Sequence, residues 1–167
     1  MTIAQELDDQ YGVYSARCNA RHTKLAKAAG NIASGFIKYL GLTIPTWNKG
    51  DGTVGGDRVR LGVGEPESFE EKTWTQLSSM NDGSIHFSLS YTLASAATFR
   101  AFHVIFELSI RIEDVGYRVT IKHRPKAVLL TADQVENQDF DTVYEEIVSG
   151  IRFCTDPASV VIPQPAE

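Results

Sequence analysis

The chain has 167 residues, enough for one domain with its own core and too few for two ordinary ones. Apolar residues make up 43% and charged residues 22%, which excludes wholesale disorder and an array of large repeats. The formal charge of −5 argues against a protein that coats nucleic acid, although residues 1–50 carry six Lys/Arg against three Asp/Glu while residues 126–167 carry two against eight.

Residues 2–40 read as helix. Thr2 and Gln5 form a capping box, and apolar or small side chains recur at Ala4, Leu7, Tyr11, Tyr14, Cys18, Leu25, Ala28, Ile32 and Tyr39. The spacing is near-heptad, but Arg21 and Gly35 fall on the same seam, and Gly12 and Gly30 lie within the run. That composition predicts a bent helix, or two helices broken near Gly12 or Gly30, in place of a rigid zipper. A continuous helix would span ~60 Å, more than a compact domain of this size, so either it bends or its end projects toward a partner.

Residues 41–56 read as a glycine-rich connector, with Pro45, Trp47, Asn48, Asp51 and several glycines. From residue 57 the period becomes two. Val59, Leu61 and Val63 take one face of a first strand, and Arg58 and Arg60 take the other. Residues 71–80 and 84–94 then predict a hairpin about Asp82-Gly83, with Trp74 opposite Tyr91 and Met80 opposite Ile85. A helix over 69–79, capped by Ser68 and Glu71, is the rival; Thr73-Trp74-Thr75 is a poor helix nucleus and favours strand.

Residues 99–112 alternate over a length that calls for a bulge or strong curvature. Phe102, Val104, Phe106, Leu108, Ile110 and Ile112 point inward; His103, Ile105, Glu107, Ser109 and Arg111 point outward. After a turn at 113–116, Tyr117, Val119 and Ile121 continue the apolar face, and Arg118, Thr120 and Lys122 stay outside. Residues 126–131 read as an edge strand. Residues 140–151 read as an amphipathic helix capped by Asp139 or Asp141, with Gly150 disrupting its last turn.

The resulting expectation is an α+β fold: a long N-terminal helical arm, a curved and mostly antiparallel meander sheet of five or six strands, and a C-terminal helix packed on the sheet. Its parts are the arm at 1–40, the connector at 41–56, the sheet with its helix at 57–156, and a proline-containing flexible tail at 157–167.

Two cysteines, Cys18 and Cys154, allow one intrachain disulfide at most and read better as thiols. With neither an export-signal pattern nor an 18-residue apolar run, the expected location is the cytoplasm, with no membrane partner.

Catalytic signatures are sparse. The glycines of 50–56 lack Gly-Lys-Ser/Thr and the strand–helix order of a phosphate loop, so they read as a connector. Cys18 with His22, and His103 with Glu107, each supply only two ligands where zinc sites use three or four, so no metal and no cofactor is expected. Glu107 with His103 or His86 would face open solvent, without the burial that tunes a general acid or base. The expected protein is therefore more a binder than an enzyme.

Three surfaces compete for that role. The arm offers Tyr14, Arg21, Leu25, Ile32 and Phe36 for homodimerisation or contact with another protein, and alanine at Leu25 and Ile32 is expected to reduce self-association. The outward sheet face offers a basic stripe of Arg58, Arg60, Arg111, Arg118, Lys122 and Arg124 for an acidic protein or, less favoured because it lacks outward aromatics, a nucleic acid. The curved face offers Trp74, Tyr91, Phe102, Phe106 and Tyr117 as the lining of a small-molecule pocket.

Overall fold

The computed structural model describes residues 2–95 and 100–160. The expected start of the long strand at Phe99 and the tail beyond Val160 lie outside the described residues.

Helix α1 spans Ile3–Tyr39 without interruption. At its start the Gln5 amide donates to Thr2 Oγ1 at 3.3 Å and the Thr2 amide donates to Gln5 Oε1 at 2.8 Å, so two end-of-helix donors are satisfied reciprocally. At its end Gly41 takes φ +64, and the amides of Gly41 and Leu42 donate to the carbonyls of Lys38 and Ile37. This is the left-handed glycine stop that leaves few carbonyls unpaired. The expected break at Gly12 or Gly30 does not occur. Gly30 and Gly35 serve close approach instead: a Cβ on Gly35 would collide with the Tyr144 hydroxyl, and one on Gly30 would meet Trp74 at 2.9 Å.

The connector is more ordered than its composition suggests. Strands β1 (Thr46–Asn48) and β2 (Val54–Asp57) form a two-stranded antiparallel ribbon, whose turn is held by Asp51 accepting from the Thr53 amide at 2.9 Å and its hydroxyl at 2.6 Å.

The main sheet has six antiparallel strands. In chain order they are β3 (Val59–Val63), β4 (Glu70–Glu71), β5 (Ile85–Ala94), β6 (Ala101–Glu113), β7 (Gly116–Ile121) and β8 (Val128–Leu130); in space they lie β4-β3-β5-β6-β7-β8. The sheet is thus a meander from β5 onward. β5 and β6 pair from Ile85↔Ile110 to Ala94↔Ala101 with no register shift, so of the expected bulge or strong curvature the bulge is absent from the described pairing.

The expected strand over 71–80 is the main correction. Residues 74–76 form a short 3-10 turn, in which the Thr73 amide donates to Gln76 Oε1 at 2.9 Å, and only Ser79 bridges Ile85. Thr73 and Gln76 satisfy their own backbone and Trp74 packs against Gly30, so the alternation there has no ladder to serve. The turn before β5 is also wider than two residues: the Met80 amide donates to Ser84 O at 2.8 Å. Tyr91 therefore pairs with Val59 and Val104, not with Trp74.

After β8 comes a short helix α2 (Ala132–Glu136) that sequence reading missed, capped by Thr131 and Gln134. Helix α3 spans Asp141–Cys154, three residues beyond its expected end and through Gly150. Its N-cap is Phe140, so Asp141 acts in the first turn, where a carboxylate favours the helix dipole.

The core lies between the second half of α1, the sheet and α3. Leu25, Ala29, Ile32 and Phe36 of α1 meet Phe87, Leu89 and Ile110 of the sheet and Val143, Tyr144 and Ile147 of α3, all buried. Each large apolar side chain fully removed from water contributes about 1.5–3 kcal/mol. The Tyr144 hydroxyl donates to Ile32 O at 3.0 Å, and burial pushes its phenol pKa upward. The described structure is thus an N-terminal helix, an antiparallel sheet, and a C-terminal helix packed against that sheet.

Candidate protein-contact surface

The two halves of α1 have opposite environments. Residues 2–14 are all exposed, and the first fully buried position is Leu25. The apolar seam continues regardless: Leu7 is 59% exposed, Tyr11 68% and Tyr14 64%, at the same spacing that places Leu25, Ala28 and Ile32 in the core. Tyr11 and Tyr14 lie with ring centroids 6.5 Å apart. The Tyr14 hydroxyl is held above its ordinary value chiefly by its hydrogen bond with Cys18. At the foot of the free segment His22 Nδ1 sits 2.7 Å from Ser79 Oγ, and Arg21 lies against Gly83.

This divides the arm residues expected from sequence. Tyr14 and Arg21 are exposed, whereas Leu25, Ile32 and Phe36 have no exposed surface and cannot meet another molecule. Alanine at Leu25 or Ile32 therefore tests the core and not an interface. Periodicity alone could not separate the two groups, because a seam looks the same whether its own sheet or another chain covers it. Leu7 and Ile3 were missed as contact residues, yet a signal for them exists. Residues 2–16 carry Glu6, Asp8 and Asp9 and no Lys or Arg, whereas residues 17–27 carry Arg17, Arg21, Lys24 and Lys27 and no acid. The charge break falls close to the point where the helix leaves the body.

The basic stripe is not a free field of positive charge. Arg111 and Arg118 both bind Glu113 Oε1, at 2.7 and 2.6 Å; Lys122 lies 2.8 Å from Glu107 and 3.5 Å from Glu65; Arg124 lies 3.1 Å from Glu146. Arg60 lies 3.9 Å from Glu71 and stacks over the Phe69 ring, and Arg58 Nε donates to Thr46 O at 3.3 Å. Hydrogen bonds from Arg118 and then Arg111 hold the Glu113 carboxyl below its usual range, and the bond to Glu107 raises the Lys122 ammonium above its own.

Glu113 thereby links this face to acid. Its folded pKa is depressed, so its stabilising contribution is full above the ordinary glutamate range and is lost as pH falls through the folded value. The expected result is a Glu113 titration midpoint below that of an unpaired glutamate by NMR, moving back toward it in Arg118→Gln; an unshifted midpoint in the unmodified chain would contradict the pairing.

The face opposite the helices is also less open than alternation implies. Ser88, Ser90 and Thr92 on β5 are buried; Ser88 Oγ donates to Gly64 O at 2.6 Å, and Thr92 Oγ1 sits 2.8 Å from His103 Nδ1. The His103 ring is thus engaged by a hydroxyl. Among the described residues no three His, Cys, Asp or Glu side chains gather where they could hold a metal ion.

The five expected pocket residues do not enclose a cavity. Tyr91 and Tyr117 are buried in the core, Trp74 packs on α1, and Phe102, expected to point into the fold, is 55% exposed near the start of β6. Ile112 at the other end of β6 is likewise exposed. Both lie where the helices no longer cover the strand. Phe106 lines a cleft of about 580 Å³ together with Val104, Pro66, Lys122, Gly150 and Phe153, and Tyr117 lines a separate one of about 260 Å³ beside Lys24 and Val135.

Comparison of the chain with protein-family models, with curated proteins and with solved structures finds no match. No described helix is long and apolar enough to cross a membrane.

Proposed function

We propose that the protein is a non-enzymatic binding protein that self-associates through the free first half of α1, a second copy pairing its arm antiparallel to the first. The observation that carries this reading is the exposed seam of Leu7, Tyr11 and Tyr14, continuous with the core seam. Such a row of large apolar side chains on a projecting helix is costly to leave in water and supplies the aromatic anchors that interfaces favour.

Charge selects the occupant and the direction. Antiparallel pairing sets the acidic stretch with Glu6, Asp8 and Asp9 beside the partner's basic stretch with Arg17, Arg21 and Lys24; parallel pairing sets like on like. Alternating seam positions then place Tyr11 against the partner's Tyr14 and Leu7 against the partner's Cys18, with Gly12 near the centre, where a Cβ would meet nothing. The paired carboxylates of the sheet face leave little unmatched positive charge for phosphates, which favours a protein partner over nucleic acid. The thiols Cys18 and Cys154 are free, as suits a reducing, cytoplasmic setting.

Sedimentation equilibrium tests the reading. A contact of about twenty residues a side lies at the small end of stable interfaces, so the expected dissociation constant is micromolar, ~1–10 μM. It should rise with salt, because the charges that select the antiparallel pair are exposed. A chain lacking residues 2–16 is expected to stay monomeric with an unchanged thermal midpoint. A full chain that remains monomeric at several hundred micromolar would overturn the proposal.

A further inference from the structure

The ribbon of β1 and β2 is ordered without being part of the core. None of residues 43–58 is buried, yet the bonds from Thr53 to Asp51 fix its turn and a bulge fixes its one large ring. The register slips between Trp47 and Asn48, which leaves Gly55 as the extra residue. The Trp47 ring lies so close over it that a Cβ on Gly55 would collide with the indole, and His103 of β6 meets the same ring edge-on with centroids 6.1 Å apart. A surface loop held in place by a rigid scaffold, with little burial to account for it, is where binding residues are disproportionately carried.

Between this ribbon and the end of β5 lies a cavity of about 400 Å³, with Ile44, Trp47, Asn48, Lys49, Arg58 and Ser95 in its wall. That is a size small ligands occupy. Its charge is one-sided: the lining holds two cations and no acid, on a chain whose net charge is −5. The 580 Å³ cleft beside β6, in contrast, sets Glu65 and Glu107 beside Lys122 and Arg124.

Both cations are left over by the fold. Arg58 is the one member of the basic stripe without a carboxylate partner among the described residues; it gives Nε to Thr46 O and keeps the rest of its guanidinium. Lys49 is exposed and forms no ion pair among the described residues, and the carboxylate nearest to it in sequence, Asp51, is engaged by the Thr53 amide and hydroxyl. A guanidinium and an ammonium in one pocket suit carboxylate or phosphate oxygens, and Ile44 and Trp47 supply apolar surface beside them. Two cations match one small anion and are too few for a nucleic-acid backbone. We propose that this cavity binds a small aromatic anion, a planar ring carrying a phosphate or carboxylate, with its charge on Lys49 and Arg58 and its ring against Ile44 and Trp47. This is independent of the arm and of how copies associate.

Titration of the full chain with phenyl phosphate, followed by proton–nitrogen NMR, tests it. The Trp47 indole N–H and the amides of Lys49 and Gly50 are expected to shift saturably, with a dissociation constant of ~0.1–1 mM, while the Trp74 indole stays in place. Phenol, the same ring without the charge, should bind at least about tenfold more weakly. Lys49→Gln and Arg58→Gln should each weaken phenyl phosphate by about fivefold; Lys49 is exposed, so its variant keeps the rest of the spectrum unchanged. The absence of a saturable shift up to about 10 mM would overturn the proposal. So would equal affinity for phenol or for inorganic phosphate, or an affinity unchanged in both variants.

Discussion

Tyr14→Ala is expected to weaken self-association by roughly a thousandfold and to leave the thermal midpoint of the protomer unchanged. Truncating an aromatic anchor at the centre of an interface costs about 2 kcal/mol, and a twofold contact loses it twice, about 4 kcal/mol in all. In the proposed pair Tyr14 sits within three residues of the centre and faces the partner's Tyr11. In the protomer it is 64% exposed and precedes Leu25, the first buried position of α1, so the fold has little to lose. Val13→Ala, one position away and off the seam, should change the dissociation constant far less. Equal effects at the two positions in analytical ultracentrifugation would mean that the helix does not pair along this seam.

Phe36→Ala should do the reverse. Phe36 has no exposed surface, and its ring lies 5.9 Å from that of Tyr91 and 5.5 Å from that of Tyr144, joining α1, the sheet and α3 in one cluster. Deleting a buried phenylalanine costs about 3–5 kcal/mol, from lost transfer energy and from the cavity left behind. For a domain of this size that is a fall in thermal midpoint of about 10–15 °C. Chemical denaturation should show a lower midpoint with the same slope, and self-association of the remaining folded protein should be unaffected. A loss below about 1 kcal/mol would contradict the packing of α1 on the sheet. The pair of substitutions thus divides one helix into an outward and an inward half.

Much of this fold is legible in the sequence where a pattern has one physical cause. The Thr2–Gln5 box, Gly41 and the alternation through β5, β6 and β7 mark their elements because backbone satisfaction and one-sided burial leave few alternatives. The segment 71–80 misleads because Thr and Trp alternate there while the backbone is satisfied by local turns. Burial of Ser88, Ser90 and Thr92 is not legible, since hydroxyl residues alternating with Leu and Tyr read as a solvent face until Gly64 meets Ser88 and His103 meets Thr92.

The candidate contact surface was half legible. The seam of α1 is evident, but where it passes from core to solvent depends on how far the sheet extends beneath it. Leu25 and Leu7 have the same side chain and the same phase, and only the fold separates them. The basic stripe was found from alternation, and its neutralisation was not, because Glu65 and Glu146 lie 57 and 22 residues from their partners Lys122 and Arg124.

Antiparallel association of the arms is the central claim, and a spin-label distance across the dimer tests it most directly. With Cys18→Ser and Cys154→Ser removing the native thiols, a label on Thr23→Cys sits on the exposed outer side of α1, away from the seam. Antiparallel pairing about residues 12–13 separates the two labels by roughly twenty residues of helix, so double electron–electron resonance should read about 35–40 Å. A distance of about 20 Å would mean parallel arms, and no intermolecular distance at concentrations above the micromolar range would mean that the arms do not pair.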